Sequence, residues 1–206
     1  MIHLAAFASG RGSNFSAIHE HLQRRGLPAR YALVVSDRSR PPVADIALGL
    51  GIPFLHLNAK NFPSPEAYAA RLIRELEAYQ VEWITLAGYL KLVPAEVVQR
   101  YSGRMMNIHP ALLPSFGGAG MYGERVHQAV LESGAKVSGA TVHFVDEAYD
   151  RGPIILQETV PVYFEDTVET LAHRVLEVEH RIYPRAVELA VTNKLRIHGR
   201  RVQILP

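Results

Sequence analysis

The chain contains no cysteine, which rules out disulfides and thiolate metal sites and makes a cytoplasmic location the expectation. It has no apolar run of the ~18 residues that a membrane helix requires, so no membrane association is expected. It also lacks a concentrated charge of either sign. The formal net charge is +2 with the histidines neutral, and the Lys and Arg residues are spread along the chain. Nucleic acid would call for a basic face interleaved with aromatics, and only 8% of the residues are aromatic. The nearest approach to a basic patch, Lys194 to Arg201, reads as a solvated terminal hairpin. Ten histidines are present, but they are scattered, and none forms a His-x-x-x-His pair with an acidic third ligand nearby. No bound metal is expected.

What remains is a chain of 206 residues, 48% hydrophobic, long enough for one globular domain with a sizeable core. Met1 leads straight into the apolar run Ile2 to Ala8, which reads as a first strand and not as a signal peptide. Ser9-Gly10-Arg11-Gly12-Ser13-Asn14 follows, and then a helical pattern of Phe15, Ile18, His19 and Leu22. Further apolar runs at Tyr31 to Val35, Pro53 to Leu57 and Trp83 to Ala87 alternate with helices at Val43 to Leu50, at Pro65 onward with Ser64 as N-cap, and at Pro94 to Tyr101. The alternation predicts an α/β fold with a mostly parallel, doubly wound, Rossmann-like sheet carrying helices on both faces. Beyond residue 114 the pattern predicts a helix at Glu124 to Leu131, longer strands at Val137 to Val145 and Ile154 to Tyr163, a long helix from Thr167 to Ala190 and a closing strand pair. The C-terminal strands are thus expected to be partly antiparallel.

Three stretches carry chemistry. The glycine turn has the mechanics of a phosphate cradle, because backbone N–H groups at a helix start point outward and the helix dipole favours an anion. Ser13 and Asn14 can add side-chain donors. Phe15 stands where the third glycine of a dinucleotide fingerprint belongs and no Walker lysine follows, so a phosphomonoester suits Gly12-Ser13-Asn14 better than a dinucleotide does. Asp37, at the end of the second strand, is the one residue that a dinucleotide-binding module would use for ribose. The second stretch is Asn107-Ile108-His109-Pro110. If a strand spans Arg104 to Ile108, the period of two puts Asn107 and His109 on one side at the strand's end. An amide to hold an oxyanion, an imidazole to donate a proton and a nearby carboxylate to favour the imidazolium suit acyl-type transfer through a tetrahedral intermediate. Asp146, Glu147 and Asp150, between the two long strands, all qualify as that carboxylate. The third stretch, Leu86 to Pro94, either lines a flat apolar ligand pocket or packs under the next helix.

Together these residues resemble a family. Asn107-x-His109-Pro110-x-Leu112-Leu113-Pro114, then Thr141-Val142-His143-Phe144-Val145, then Asp150-x-Gly152-Pro153 resemble the formyltransferases that use 10-formyltetrahydrofolate. Phe7 to Asn14 and Glu179-His180-x-x-Tyr183-Pro184 extend the resemblance over essentially the whole chain. It implies a single formyltransferase domain over 1–206, with a phosphate-binding half at 1–100 and a catalytic and folate-binding half at 101–206. The implied reaction moves the formyl group of 10-formyltetrahydrofolate, as co-substrate, onto the amine of glycinamide ribonucleotide, giving formylglycinamide ribonucleotide in purine biosynthesis. Carried over by residue, Asn107, His109 and Asp150 would be catalytic, with Asp150 raising the His109 pKa and His143 in support. Gly12, Ser13, Asn14 and Glu179 would bind the ribonucleotide. Leu90, Lys91, Leu92, Val93, Asn107 and Asp146 would bind the folate. The partners implied are small molecules, with room for a homodimer.

Two departures from the family pattern stand out. Pro65 replaces a basic residue common at its position, for which Arg71 is a candidate substitute, and the loop from Phe116 to Gly123 is long and glycine-rich. The related transferases that act on tRNA and the formylfolate hydrolases carry extra domains for which 206 residues leave no room.

Overall fold

The computed structural model describes all residues, 1–206. The chain divides into two compact units, Met1–Met106 and Asn107–Pro206.

In the first unit, β1 (Ile2–Phe7), β2 (Ala29–Ser36), β3 (Phe54–His56) and β4 (Trp83–Leu86) lie in the order β3-β2-β1-β4, and their pairings are all parallel. Strands covered on both faces read as continuous apolar runs, and Leu4 to Phe7, Leu33 to Val35 and Ile84 are buried accordingly. The register pairs Phe7 with both Val35 and Leu86. The chain therefore leaves β1, β2 and β4 at the same edge, which is where open α/β sheets place ligands.

The helices follow from local signals. α1 (Ser13–Arg24) buries Phe15, Ile18 and Leu22 on one face and carries His21 and Arg24 in its last turn, where cations complement the helix dipole. α2 (Pro42–Gly49) begins behind Pro41 and Pro42. α3 (Pro65–Ala78) is capped by Ser64, whose hydroxyl accepts from the Ala67 N–H, and buries Tyr68, Leu72 and Leu76. α4 (Ala95–Arg100) buries Val97 and Val98.

In the second unit the strand order is β5-β6-β7-β9-β8, formed by β5 (Met105–His109), β6 (Val137–Phe144), β7 (Ile154–Pro161), β8 (Leu195–His198) and β9 (Arg201–Ile204). β6 and β7 pair antiparallel, β7 and β9 parallel, and β8 and β9 antiparallel. The expected fold class, with antiparallel character confined to the C-terminal strands, is what these pairings describe. β5 runs one residue further than expected, so His109 is its last residue and not the residue after it. α5 (Glu124–Glu132) and α6 (Val168–Val191) complete the unit. α6 opens with a reciprocal cap between Thr167 and Thr170 and continues through Pro184. The turn before it is tied by Arg174, which donates to both carboxylate oxygens of Asp166 at 2.8 Å and so holds that carboxyl well below the usual range. No helix is long and apolar enough to cross a membrane.

Candidate active site

Because side chains alternate along a strand, Asn107 and His109 project from β5 to the same side, and both reach Asp150. The Asn107 amide nitrogen is 3.5 Å from Asp150 Oδ1 and His109 Nδ1 is 3.5 Å from Asp150 Oδ2. Spacing left three carboxylates open, and the loop between β6 and β7 separates them. Asp146 turns its Oδ1 onto the Ala148 N–H at 3.0 Å, whereas Asp150 faces the two β5 residues. Asp150 takes a left-handed backbone, φ 54°, which Asp and Asn tolerate better than most residues. Gly152 brings the loop back so tightly that a Cβ there would overlap the carbonyl of Phe144. The loop is thus pinned to the end of β6 just beyond the carboxylate.

Two backbone carbonyls set the roles of the side-chain nitrogens, since the bond made by one ring nitrogen decides what the other can do. His143 Nδ1 donates to the carbonyl of Phe144 at 2.7 Å, which makes its Nε2 an acceptor. The Asn107 amide donates to that Nε2 at 3.1 Å, and this orients the whole amide. His109 Nε2 donates to the carbonyl of Phe116 at 2.8 Å. The proton that His109 gains and loses therefore sits on Nδ1, the nitrogen that faces Asp150.

The electrostatics differ from the sequence expectation in one respect. Burial depresses the His109 pKa, and although Asp150 and the Phe116 carbonyl act in the opposite direction, the balance lies below the ordinary histidine value. The expected rise is the correct sign for Asp150 alone, but it is outweighed because His109 is only 3% exposed and water no longer solvates its cation. Burial by itself would raise the Asp150 carboxyl; His109 beside it and the Gly118 N–H, which donates to Oδ2 at 2.9 Å, hold it below the ordinary value.

The loop from Phe116 to Gly123 is thus part of this arrangement, through the Phe116 carbonyl and the Gly118 N–H. Only its glycine content hinted at that. Phe116 and Gly118 both have positive φ, and a Cβ on Gly117 would stand 2.5 Å from Leu113 Cδ2 and 3.2 Å from Asp150 Cβ. A second residue that sequence reasoning missed is His127 of α5, buried with no hydrogen-bond partner at Nδ1. Burial, and then the charge of His109, push it down to about 4. Its place on the apolar face of α5 beside Val126 and Val130 gave no polar signal.

The remaining predicted residues occupy other places. Gly12, with φ 79°, precedes α1, and its carbonyl accepts the first helical bond from the Ser16 N–H. A Cβ on Gly12 would lie 2.5 Å from Val43 Cγ2, so the turn is close-packed against α2. Ser13 is half-buried and Asn14 buried at the start of that helix. The absent third glycine is accounted for by Phe15, whose ring packs on Tyr31 at 4.8 Å. Asp37 accepts from the Ser9 hydroxyl at 2.5 Å, so its carboxylate already serves the protein.

After β4, Lys91 and Leu92 are exposed, Leu90 lies at the margin of exposure, and Val93 is only 4% exposed. The Val93 side chain belongs to the core, as the packing reading of this stretch expects, whereas Lys91 and Leu92 are open to solvent. Glu179 is buried on α6. Arg71 is paired with Glu75 at 2.6 Å, a partner one helical turn away on α3.

The formyl transferase family model matches residues 2–187. The chain is 48% identical over 185 residues to the chloroplastic phosphoribosylglycinamide formyltransferase of Arabidopsis thaliana, covering 89% of this chain and 63% of the plant protein. It therefore spans less than two thirds of that relative's length. With the phosphoribosylglycinamide formyltransferase of Bacillus subtilis it shares 39% identity over 184 residues, 89% of this chain and 92% of that one. The crystal structure of glycinamide ribonucleotide transformylase 1 from Symbiobacterium toebii superposes with a TM-score of 0.93 at 43% identity, covering 100% of this chain and 95% of the other.

Proposed function

The chain belongs to the formyl transferase family, and on that premise we propose that it transfers the formyl group of 10-formyltetrahydrofolate to the amine of glycinamide ribonucleotide. The observation that carries this reading is the meeting of Asn107, His109 and Asp150 within 3.5 Å contacts. The folate supplies the formyl group and the leaving nitrogen. The residues after β4 suit the flat faces of its ring system, since Leu92 is 51% exposed beside Leu90, and apolar surface with a few convergent polar groups is what such ligands require. Asn107 presents its amide toward the charge that develops on the formyl oxygen. His109, with Nε2 tied to Phe116, presents Nδ1–H as the proton donor. Asp150 favours that proton's presence and receives the proton that the attacking amine must shed.

On this reading Gly12, Ser13 and Asn14 hold the substrate phosphate and Glu179 contacts the ribose side. Leu90, Lys91, Leu92, Asn107 and Asp146 serve the folate, and Val93 contributes through its backbone. Residues 1–206 then act as one formyltransferase domain of cytoplasmic purine synthesis, either as a monomer or as a homodimer.

The test is to supply purified protein with glycinamide ribonucleotide and 10-formyltetrahydrofolate and to follow folate release. Absence of turnover with both at saturation overturns the assignment. A dinucleotide-binding module is the rival reading, and micromolar NAD affinity by isothermal titration would support it. The engagement of Asp37 by Ser9 counts against it.

A further inference from the structure

Ser9 joins two ligand-binding stretches of the first unit that the sequence keeps apart. It is the second residue beyond the end of β1, immediately before the glycine turn, and it is 1% exposed. Its backbone N–H donates to the carbonyl of Gly88 at 3.1 Å. Its hydroxyl accepts from the Leu90 N–H at 3.2 Å and donates to Asp37 Oδ1 at 2.5 Å. Asp37 is itself buried, and its backbone carbonyl is held by the Asn58 amide at 2.9 Å. The serine thus clasps the 88–90 segment at two points, and a charge-assisted bond to the end of β2 fixes the direction of its hydroxyl. On the far side, Tyr89 packs edge-on against Phe7 at 5.4 Å and meets the Tyr68 hydroxyl at 3.1 Å. The residues that follow, Lys91 and Leu92, are exposed.

From this geometry we propose that Ser9, seated on Asp37, is a positioning residue that couples the phosphate cradle at Gly12–Asn14 to the folate stretch at Leu90–Leu92. The inference rests on the formyl-transfer reading of those two stretches. Its physical basis is ordering. A phosphate held by the backbone N–H groups that follow Gly12 rigidifies the turn that begins at Ser9, and a rigid Ser9 holds Leu90 in place. The folate then meets a surface already ordered and loses less conformational freedom on binding. Linkage requires the converse to the same degree.

The test is titration of the intact chain with tetrahydrofolate in the presence and absence of saturating ribose 5-phosphate. In the wild type, the sugar phosphate is expected to tighten tetrahydrofolate binding about fivefold or more, and tetrahydrofolate to tighten ribose 5-phosphate binding by the same factor. In Ser9→Ala the factor is expected to fall below about twofold, with a cooperative melt retained. Asp37→Asn keeps an acceptor for the serine hydroxyl and is expected to preserve the coupling, whereas Asp37→Ala is expected to lose it. A purely structural serine would weaken both ligands and leave the ratio untouched. A wild-type factor of one, or an undiminished factor in Ser9→Ala and Asp37→Ala, overturns the inference while turnover still upholds the formyl-transfer reading. A wild type that neither binds tetrahydrofolate nor turns over brings down both.

Discussion

Asp150 and His109 meet through Oδ2 and Nδ1 at 3.5 Å, and burial of the imidazole opposes the charge that this pairing favours. The proton on His109 is therefore held by the carboxylate against the pull of its surroundings. Such a balance leaves the proton easier to give up than it would be in a solvated ion pair.

The first prediction removes the carboxylate's charge and keeps its shape. Asp150→Asn takes away the largest influence that raises the His109 pKa, so that pKa falls further. Activity that needs the imidazolium is lost as pH rises through it, and the descending limb of the pH–rate profile moves to lower pH. Turnover at pH 7 should drop about 100-fold or more, with an unchanged circular dichroism spectrum. A wild-type profile in this variant, with Asp146→Asn inactive, would assign the role to the other carboxylate.

The second concerns His127, which stays neutral in the fold down to about 4 but titrates near 6.5 when solvated. Between those values the unfolded chain binds the extra proton, so stability falls as pH falls below 6.5 and stops falling near 4. The full effect is about 3 kcal/mol. Urea unfolding from pH 7 to pH 4 should display it. His127→Leu should flatten most of that slope, leaving a smaller remainder from His109.

The third tests the close approach at Gly152. Gly152→Ala places a methyl against the Phe144 carbonyl, and the loop must lift. A stability loss of about 2 kcal/mol is expected. Turnover should fall together with it, because Asp150 is two residues away, whereas ribose 5-phosphate affinity should stay within about twofold, since ligand sites that share no contacts act additively.

The fourth addresses the cradle. Gly12→Ala meets both a positive φ and Val43, costing about 2 kcal/mol, and should weaken ribose 5-phosphate binding about tenfold. Ser13→Ala removes only one donor and should weaken it about threefold. Calorimetric Kd values separate the two. Equal affinity in both variants and the wild type would place the phosphate elsewhere.

β1, β2 and β4 were readable because burial on both faces gives each a continuous apolar run, and Ser64-Pro65 announced α3 by capping chemistry alone. The common side of Asn107 and His109 also followed from the pleat. Distance in sequence hid the rest. Nothing near Asp146, Glu147 and Asp150 reveals which one turns inward, because that depends on Gly152 touching β6. Burial of His109 and Val93 depends on elements packed over them from elsewhere in the chain, and the parts played by Phe116 and Gly118 are played by backbone atoms that every residue possesses.

The left-handed backbone at Asp150 has an evolutionary side. The conformation admits Asp and Asn with little strain and disfavours longer or branched side chains, while the proposed chemistry calls for a carboxylate. Glutamate, the conservative replacement by charge, is then disfavoured by shape, and asparagine, the conservative replacement by shape, by charge. Drift at this position has no neutral neighbour to pass through, so Asp150 should stay fixed wherever the proposed reaction is kept.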